Sequence, residues 1–385
     1  MAARTALIVG AGIGGLSSAI ALRQAGWHVR VFERAGSARE LGFGLALAPN
    51  AVQALRSLGV ADAVLSRGWP PSRGELRRMD GRVLKRVELP PGALGGPFTV
   101  ALRPALHGAL LDAVGAGALD LDREAASFTL ADRRVTLRFA SGPDAEGDLL
   151  VGADGIGSVI RRALHPSESQ PRACDIVAVR GAVHGAVAHL SGLSAVYYLG
   201  PGVESVFVRA SDTGIYWFLS LARELVPAGV TAPAAIVSHM APRFDATFRA
   251  ITSATADMRV DALVDRDPLL FWGRGVVTLL GDAAHPVLPH TGQGAAQAMV
   301  DAVELGRALG PDGALEPALR AYEDDRRRKT AALLARGRRT ARMMRMTNPL
   351  GCAVRELAIR IVPVTALAKL MVGISRRAGT NVTVP

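Results

Sequence analysis

The feature that most constrains how this chain folds is a glycine motif that follows a short apolar run near its N-terminus. The run TALIV, residues 5–9, has the length of a buried parallel strand, and GAGIGG, residues 10–15, follows it directly. Residues 13–25 have the apolar spacing of a helix, and WHVRVFER, residues 27–34, returns to strand character. This order predicts a βαβ unit, which places the chain among the α/β folds with a parallel sheet.

The glycines of this motif have separate physical tasks. Gly10 permits a tight turn, Gly12 allows the backbone to approach a pyrophosphate, and Gly15 lets helix and strand pack closely. The phosphates would lie at the N-terminus of the helix, where free N–H groups favour anions. Glu33 follows about twenty residues later, where an acidic side chain binds ribose hydroxyls. Together these features favour dinucleotide binding over an ordinary glycine-rich turn, and they leave FAD and NAD as alternatives.

The size and composition of the chain allow two domains and a large core. The chain has 385 residues, of which 49% are hydrophobic and 21% are charged, so global disorder is not expected. Its two cysteines, Cys174 and Cys352, are far apart, and neither a CxxC pair nor zinc-ligand spacing occurs. We therefore expect a reducing, cytoplasmic location, without disulfides and without a bound metal.

The net charge of +11 raises the question of an anionic partner. Many arginines lie within 320–345, where we predict a solvated helix face, and no aromatic residues alternate with them as in nucleic-acid-binding segments. The apolar segment 357–374 is interrupted by Arg360, Pro363 and Lys369, so it predicts a terminal helix packed on the body. We expect neither nucleic-acid binding nor stable membrane insertion, and a role at a membrane surface stays open.

The remaining chain divides into a helix-rich and a strand-rich part. Asp80-Gly81 between two strand-like arms, within 75–89, predicts a hairpin. From about residue 174 to 222, four consecutive strand candidates separated by Gly, Pro or Asp indicate an antiparallel sheet. Helices are predicted for 50–58, with Asn50 as its N-cap, for 104–114 and for 233–251.

Two further glycine turns follow strand-like runs. In GADG, residues 152–155, Asp154 would cap the helix that follows, and Arg161 is predicted to be a surface charge. In GDAAHPVLPHTGQG, residues 281–294, Asp282 ends a strand and a Pro-rich loop leads to a second helix start. This helix N-terminus could face an anion or a polarised carbonyl oxygen.

These three motifs, in this order and spacing, resemble those of the single-component FAD-dependent aromatic hydroxylases, the para-hydroxybenzoate hydroxylase fold class. LGFGLALAPNAVQAL and ALRPALHGALL resemble that family's flavin-side and arginine segments, and the resemblance extends from residue 5 to about 310. It implies an α/β fold with a Rossmann-like FAD-binding domain, an inserted, mostly antiparallel β-sheet substrate domain and a C-terminal helical segment. The implied ranges are 1–72, 98–172 and 270–340 for the FAD-binding domain, 73–97 and 173–269 for the substrate domain, and 341–385 for the helical tail.

The resemblance also assigns cofactor-binding residues. It implies tightly but non-covalently bound FAD, with the pyrophosphate at the first glycine motif, the adenosine at Glu33 and Arg34, and the ribityl chain at Arg103 and Asp282. The complete set is Gly10, Gly12, Gly14, Gly15, Glu33, Arg34, Gly44, Arg103, Asp154, Gly155, Asp282, Pro289, Gly292, Gln293, Gly294 and Ala295. One departure is Val300, where the family often has Glu in a Glu-Asp-Ala triplet.

The family's chemistry implies the reaction. NADH or NADPH would reduce FAD, and O2 would then give a C4a-hydroperoxyflavin that hydroxylates or epoxidises an aromatic or polycyclic apolar molecule, such as a natural-product intermediate. No metal is required, and His290 is a candidate base beside the Pro289 backbone. Strand alternation makes Arg180, Arg209 and Trp217 candidate substrate contacts, although a place in the core or on the sheet surface is favoured for each.

Two alternatives remain at this point. A flavin-dependent reductase of the same fold, acting on an isoprenoid-type substrate, would form its product without oxygen. A non-catalytic protein that senses a nucleotide or flavin would turn over nothing. We expect a small-molecule substrate and a monomer or homodimer, and the sequence names neither the substrate nor the preferred nicotinamide.

Overall fold

The structure of the protein, a computed structural model, describes residues 4–38, 42–310 and 313–377. Of the implied domain ranges, residues 1–3, 39–41, 311–312 and 378–385 therefore lie outside the described residues. Strands and helices are numbered here along the chain. The strands are β1 (Thr5–Val9), β2 (His28–Phe32), β3 (Gly44–Leu47), β4 (Arg73–Arg78), β5 (Val83–Glu88), β6 (Thr99–Leu102), β7 (Leu119–Asp120), β8 (Ala125–Ala131), β9 (Arg134–Phe139), β10 (Ala145–Gly147), β11 (Leu149–Gly152), β12 (Arg172–His184), β13 (Ala195–Gly200), β14 (Val203–Arg209), β15 (Gly214–Ala222), β16 (Met258–Asp265) and β17 (Val277–Leu279). The α-helices are α1 (Ile13–Gln24), α2 (Pro49–Ser57), α3 (Ala61–Leu65), α4 (Arg103–Val114), α5 (Val159–Leu164), α6 (Pro233–Met240), α7 (Ala246–Ser253), α8 (Gly294–Ala308), α9 (Leu315–Met344), α10 (Pro349–Ile361) and α11 (Val364–Arg377).

The first layer is a parallel sheet with the strand order β17-β11-β1-β2-β7. Helices α1, α4 and α8 pack together over one face, and the three-stranded sheet β10-β9-β8 packs against the other. Covered on both faces, β1 and β11 consist almost entirely of buried apolar residues, which is why they read as continuous hydrophobic runs.

The second layer is a seven-stranded sheet with the order β16-β12-β15-β14-β13-β4-β5. Its neighbours are antiparallel except β13 and β4. The hairpin predicted at Asp80-Gly81 joins β4 to β5, with Gly81 at φ +90°. These two layers and the C-terminal helices confirm the predicted α/β fold with an inserted, mostly antiparallel sheet.

The two faces of the second sheet differ in what covers them. One face packs on α6 and α7, where Trp217, Phe207 and Phe248 belong to one apolar cluster. The opposite face turns toward β3 and the loop before α8, as the contacts of Tyr216 and His290 show. We call this opposite side of the sheet the cofactor face.

Two helix predictions are wrong in detail. Helix α2 begins at Pro49 with Ala48 as its N-cap residue, so Asn50 lies inside the helix and its amide bonds elsewhere. The helix predicted over 233–251 is two helices, because a 3₁₀ turn at Ala241–Arg243 interrupts it and Asp245 caps the second.

The C-terminal helices also depart from expectation. The arginine-rich segment is one long helix, α9, but the predicted solvated face fails for Arg326, whose side chain is 0% exposed. Helix α10 leaves an apolar stripe exposed, with Leu350, Leu357 and Ile361 on it, so its packing on the body is partial. None of the helices in the described ranges combines the length and the hydrophobicity that a membrane-spanning helix requires.

Candidate functional site

The carboxyl ends of four neighbouring parallel strands converge on one edge of the first sheet. There β1 leads into Gly10, β2 into Glu33, β11 into the Asp154 turn and β17 into Asp282. Ligands of open α/β sheets bind outside the carboxyl ends of the strands. The structure thus brings together, at the edge where a ligand is expected, residues that lie far apart in the sequence.

The glycine loop after β1 has one crowded side and one open side. A Cβ on Gly15 would lie 1.8 Å from the Gly10 carbonyl oxygen, and one on Gly10 would lie 2.6 Å from the Ala153 oxygen. A Cβ on Gly12 would meet no atom within 4 Å, so this position faces open space at the start of α1. Gly14 differs from both, since its Cβ would lie 2.8 Å from the Leu280 side chain, which gives it a packing role.

Glu33 anchors the glycine loop from the end of β2. Its Oε2 accepts a hydrogen bond from the Ala11 N–H at 2.8 Å, and its Oε1 accepts one from the Ala35 N–H at 3.0 Å. Arg34 beside it is exposed. The carboxylate is therefore held at the mouth of the loop, in the position that the fingerprint predicts for a ribose contact.

In the turn after β11, only one of the two carboxyl oxygens of Asp154 is hydrogen-bonded among the described residues. Its Oδ2 accepts a hydrogen bond from the Val159 N–H at 2.7 Å, whereas its buried Oδ1 has no hydrogen-bond partner among the described residues. Burial raises the pKa of this carboxyl, and hydrogen bonds to it act in the opposite direction. Gly155 adopts φ +76° with open space around it, so the turn leaves room for a ligand.

Arg161 is not the surface charge that we predicted. Its side chain is buried and pairs with Glu168, while its Nη1 donates to the carbonyl oxygens of Ala283 and Ala284 at 3.0 Å each. The guanidinium therefore ties α5 to the turn that carries Asp282. Asp282 itself is exposed, and its Oδ1 lies 3.9 Å from the position of a Cβ on Gly294.

Beneath this turn lies a buried ionic cluster centred on Asp301. Its Oδ2 accepts from the Gly281 N–H at 3.0 Å and lies 2.5 Å from His285 Nε2, while its Oδ1 accepts from Arg326 Nε at 2.6 Å. Burial alone would raise the pKa of Asp301, but His285 and Arg326 hold that pKa at about 2. Val300, the departure from the family pattern, is fully buried beside it, so the acidic role lies with Asp301.

A series of hydrogen bonds between amide side chains extends the same cluster to the start of α8. Arg326 Nη2 donates to Gln297 Oε1 at 2.5 Å, and Gln297 Nε2 donates to Gln293 Oε1 at 3.2 Å. Asn50 Nδ2 donates to the same Gln293 oxygen at 2.8 Å. The Gln293 side chain therefore points into the protein, which leaves the backbone of 292–295 as the part of the motif that can face a ligand.

The second sheet meets the first layer at β3 and α4. A Cβ on Gly44 would lie 2.3 Å from Tyr216 Cγ, so a larger residue cannot stand between β3 and this ring. A Cβ on Gly42, at φ +156°, would lie 2.6 Å from Arg103 Cδ. Arg103, at the first turn of α4, is thereby held against the segment that precedes β3.

Polar side chains of the cofactor face converge on the loop before α8. Arg180 on β12, Glu204 on β14 and Ser220 on β15 share this face, as the cross-strand pairing shows. His290 Nε2 lies 3.4 Å from Ser220 Oγ and 3.7 Å from Glu204 Oε2. Burial, together with the charge of Arg180, lowers the pKa of His290 to about 4, so its imidazole is neutral at neutral pH.

Two predicted substrate residues are placed differently. Trp217 is fully buried in the cluster on the other face, and its indole N–H donates to Thr255 Oγ1 at 2.9 Å. The position is wrong for a substrate contact, because successive strand residues point to opposite faces and Tyr216 takes the cofactor side. Arg209 lies over the Trp69 ring and donates hydrogen bonds to the carbonyl oxygens of Ser211 and Asp212. It therefore stabilises the turn between β14 and β15.

Sequence reasoning missed Glu204 and its partner Tyr197. Glu204 is 3% exposed, and the Tyr197 hydroxyl contacts its Oε1. The one available signal was an acid in the strand-like run VESVFVR, in phase with Val206 and Val208 on one side of β14.

The geometry fits a long dinucleotide cofactor along the sheet edge. Gly12 opens onto space that an added Cβ would enter, and Asp154 presents an oxygen that has no hydrogen-bond partner in the described part of the chain. A family model described as an FAD binding domain matches residues 3–337. The chain belongs to the family of FAD-dependent aromatic monooxygenases.

Relatives of known activity support this assignment over most of the chain. Aurachin C monooxygenase/isomerase from Stigmatella aurantiaca is 32% identical over 372 residues, which cover 93% of this chain and 94% of that protein. The 3-amino-4-hydroxybenzoate 2-monooxygenase of Streptomyces cremeus is 33% identical, with 92% and 91% covered. HpxO from Klebsiella pneumoniae, solved with FAD and uric acid, superposes with a TM-score of 0.90 at 26% identity, with 97% of each chain covered. The resemblance inferred from the three motifs is therefore confirmed.

Proposed function

We propose that this monooxygenase uses NADPH or NADH and O2 to hydroxylate or epoxidise an aromatic or polycyclic small molecule. The substrate would lie between the flavin ring and the cofactor face of the second sheet. The observation that most supports this is a buried polar group, formed by Ser220 and Glu204 on the second sheet and His290 in the loop before α8. Relatives named for aurachin C, hydroxybenzoates and 6-hydroxynicotinate support an aromatic substrate.

The chain's own residues would hold FAD at both of its ends. Gly12 and the free N–H groups of α1 would bind the pyrophosphate, and Glu33 would bind the adenosine ribose. Arg103 and Asp282 would hold the ribityl chain, and the backbone of 292–295 would face the pyrimidine edge of the flavin. When bound, FAD supplies the redox chemistry between the nicotinamide and O2.

We assign His290 as the group that accepts a hydrogen bond from a ring hydroxyl of the substrate. Its side chain is 1% exposed and its Nδ1 has no hydrogen-bond partner among the described residues. Because its pKa lies at about 4, the imidazole is neutral at neutral pH, and its Nδ1 can accept a hydrogen bond from that hydroxyl. Polarisation of the hydroxyl by this hydrogen bond makes the ring more electron-rich, which favours attack on an electrophilic oxygen.

Tyr216 and Gly44 would exclude water from the opposite side of the pocket. The ring packs directly over the glycine, so the second sheet and β3 leave no gap at this contact. Exclusion of water matters because an oxygen-transfer intermediate exposed to solvent is lost unproductively.

The test of this proposal is an oxygen-dependent turnover assay on the purified, FAD-loaded chain. We expect NADPH or NADH oxidation to accelerate when an aromatic substrate is added, with oxygen consumed and an oxygenated product formed. His290→Asn should lower kcat for phenolic substrates by at least tenfold while FAD remains bound. Product formation without oxygen would instead establish the reductase alternative.

A further inference from the structure

Helix α10 carries a row of apolar side chains that are exposed to solvent. We call this row the apolar stripe, and it consists of Leu350, Val354, Leu357 and Ile361. Their spacing of three or four positions places them on one face of the helix. Of the eight large apolar side chains that are exposed among the described residues, five lie within 343–361, since Met343 adds to these four. Exposed apolar side chains concentrated in one place are typical of an interaction surface.

The opposite face of α10 is fixed to the protein. Arg355 is buried there, and its guanidinium donates to the carbonyl oxygens of Met343 at 3.2 Å and Gly200 at 2.9 Å. At the other end of the helix, Lys85 Nζ donates to two of its last carbonyl oxygens, at 2.6 and 3.0 Å. The helix cannot turn the apolar stripe inward without breaking these hydrogen bonds, so the stripe is presented outward.

The positive charge of the chain is concentrated in the segment that carries the stripe. Residues 326–385 contain fourteen Lys or Arg residues and a single acid, Glu356, so this segment has a formal net charge of +13. The whole chain has +11, which leaves −2 for residues 1–325. Glu356 itself lies 3.8 Å from Arg78. The apolar stripe therefore belongs to the part of the chain that attracts an anionic partner most strongly.

Three exposed arginines lie close to the stripe. Arg360 is on α10 itself, and Arg342 and Arg345 are at the end of α9. The two helices are adjacent there, because the carbonyl oxygen of Met343 accepts a hydrogen bond from Arg355. Arg345 contacts Asp175 at 3.4 Å, whereas Arg342 and Arg360 form no ion pair with an acid among the described residues. Their charges are therefore available to a partner.

A lipid surface fits this combination better than a protein or a nucleic acid does. Helices that lie in a membrane interface have one apolar face with Lys and Arg around it, and they bury the apolar face about 5–10 Å deep. A second copy of the chain would bring two cationic segments together, which like-charge repulsion disfavours. A nucleic acid would pair with the arginines but would leave the apolar stripe in water.

We propose that the apolar stripe, together with Arg342, Arg345 and Arg360, docks the protein reversibly on the surface of a bilayer that contains anionic phospholipids. The apolar side chains would enter the boundary between headgroups and acyl chains, and the guanidinium groups would pair with lipid phosphates. This inference goes beyond the proposed function, because it adds a site of action. Docking would bring the enzyme to the phase in which apolar molecules concentrate.

The test is sedimentation of the FAD-loaded chain with two kinds of vesicle, one of phosphatidylcholine alone and one of phosphatidylcholine mixed with phosphatidylglycerol. We expect binding to the mixed vesicles at low salt. Binding to the neutral vesicles should be weaker by at least about tenfold, because each cation near an anionic surface contributes roughly fivefold in affinity. Binding to the mixed vesicles should be lost in about 0.5 M NaCl, which screens exposed charges.

Two double variants separate the apolar and the cationic contributions. Leu357→Ser with Ile361→Ser removes apolar surface, and Arg342→Gln with Arg360→Gln removes charge. All four positions are exposed, so the melting temperature and the FAD content should stay those of the wild type. We expect each double variant to bind the mixed vesicles at least about tenfold more weakly than the wild type.

The matched controls change the same residue types on the three-stranded sheet. Leu130→Ser on β8 and Arg138→Gln on β9 also alter exposed side chains, and both should bind the mixed vesicles as the wild type does. Sedimentation equilibrium without lipid examines the alternative of a second copy.

Four results with vesicles would each overturn the proposal: absence of binding to the mixed vesicles, equal binding to the neutral ones, binding that persists in about 0.5 M NaCl, and wild-type binding by either double variant. A dimer that becomes a monomer in the stripe variant would instead show that a second copy covers the stripe. Retention of single-stranded RNA in place of the mixed vesicles would assign the arginines to a nucleic acid. Oxygen-dependent turnover is measured separately, so the proposed function can fail or hold without deciding this inference.

Discussion

Single residues in the first glycine motif divide the tasks of folding and binding. Gly15 and Gly10 are crowded by backbone atoms, whereas Gly12 faces open space. Substitution at these positions should therefore separate two effects that a motif alone cannot separate: loss of the fold and loss of the cofactor.

We predict that Gly12→Ser will fold as the wild type but lose FAD. Gly12 is the N-cap residue of α1 at φ −75°, a conformation that serine adopts and a position that serine favours. The new side chain would occupy the phosphate approach, so the dissociation constant for FAD should rise at least tenfold, or about 1.4 kcal/mol. The melting temperature of the FAD-free protein and a flavin fluorescence titration measure the two effects.

Gly15→Ala is the matched comparison, because it should destabilise the fold itself. Its Cβ would lie 1.8 Å from the Gly10 carbonyl oxygen, so the FAD-free protein itself should lose on the order of 2 kcal/mol of stability. Equal melting temperatures for the two variants would contradict this division of tasks.

The sequence predicts the position of a single residue when nearby residues in the chain define its geometry. Gly10, Gly12 and Glu33 could be placed because a strand, a turn and a helix within one short segment define their geometry. Glu204 could not, because its burial depends on β13, the loop of His290 and the C-terminal helices together. Trp217 was assigned to the wrong face because alternation gives two faces without saying which one meets the cofactor.

At the scale of elements, the contact between α8 and α9 is ionic at its centre. Asp301 on α8 and Arg326 on α9 are both 0% exposed. Removing one partner of a buried ion pair leaves the other charge without compensation, which costs more than the pair itself contributes.

We predict that Arg326→Met will lower the free energy of unfolding by about 3–5 kcal/mol. Asp301 would remain buried, and the Gly281 turn that it holds would loosen, so FAD retention should fall as well. Arg339→Met, at an exposed position on the same helix, is the control and should change stability by less than about 0.5 kcal/mol. Urea unfolding of both variants measures the difference, and similar losses would argue against a special role for the buried pair.

The sequence predicted α9 as a helix but not which of its arginines is buried. Charge pattern along one helix carries no information about an acid on another helix, and the Asp301 partner lies 25 positions away. In the same way, the break between α6 and α7 follows from Pro242 and the Asp245 cap, which a periodic apolar pattern conceals.

At the scale of the whole molecule, buried acids set how stability depends on pH. The pKa of Asp301 is held at about 2, below its ordinary value, so its contribution is present above about pH 4 and is lost as the pH falls toward 2. Burial raises the pKa of Glu323 to about 7, although Thr278 and Arg320 oppose it. Its contribution is therefore complete below about pH 4.5 and is lost as the pH rises through 7.

We predict that Glu323→Gln will flatten the alkaline side of the stability profile. The wild type should lose on the order of 2–3 kcal/mol relative to this variant between pH 5 and 8, because only the wild type must ionise a buried acid. Denaturant unfolding at several pH values measures this difference. A constant difference across that range would show that Glu323 titrates as an exposed acid.

The two layers were predictable from the sequence, but the contacts between them were not. Strand and helix patterns identify a parallel sheet and an inserted antiparallel sheet. The contact of Tyr216 with Gly44, and that of His290 with Ser220, join positions that lie far apart in the sequence, and no local pattern records them.

The crevice at the sheet edge has one further consequence, for the order of events during synthesis. Its first wall is built from β1, the glycine loop and β2, whereas β17 and the start of α8 lie far later in the sequence and are synthesised after them. A nascent chain thus has only one side of the binding site until β17 has been synthesised, and FAD can bind only after that. Availability of the vitamin-derived cofactor would then act only after β17 and the start of α8 have been synthesised, at the stage where maturation and degradation compete.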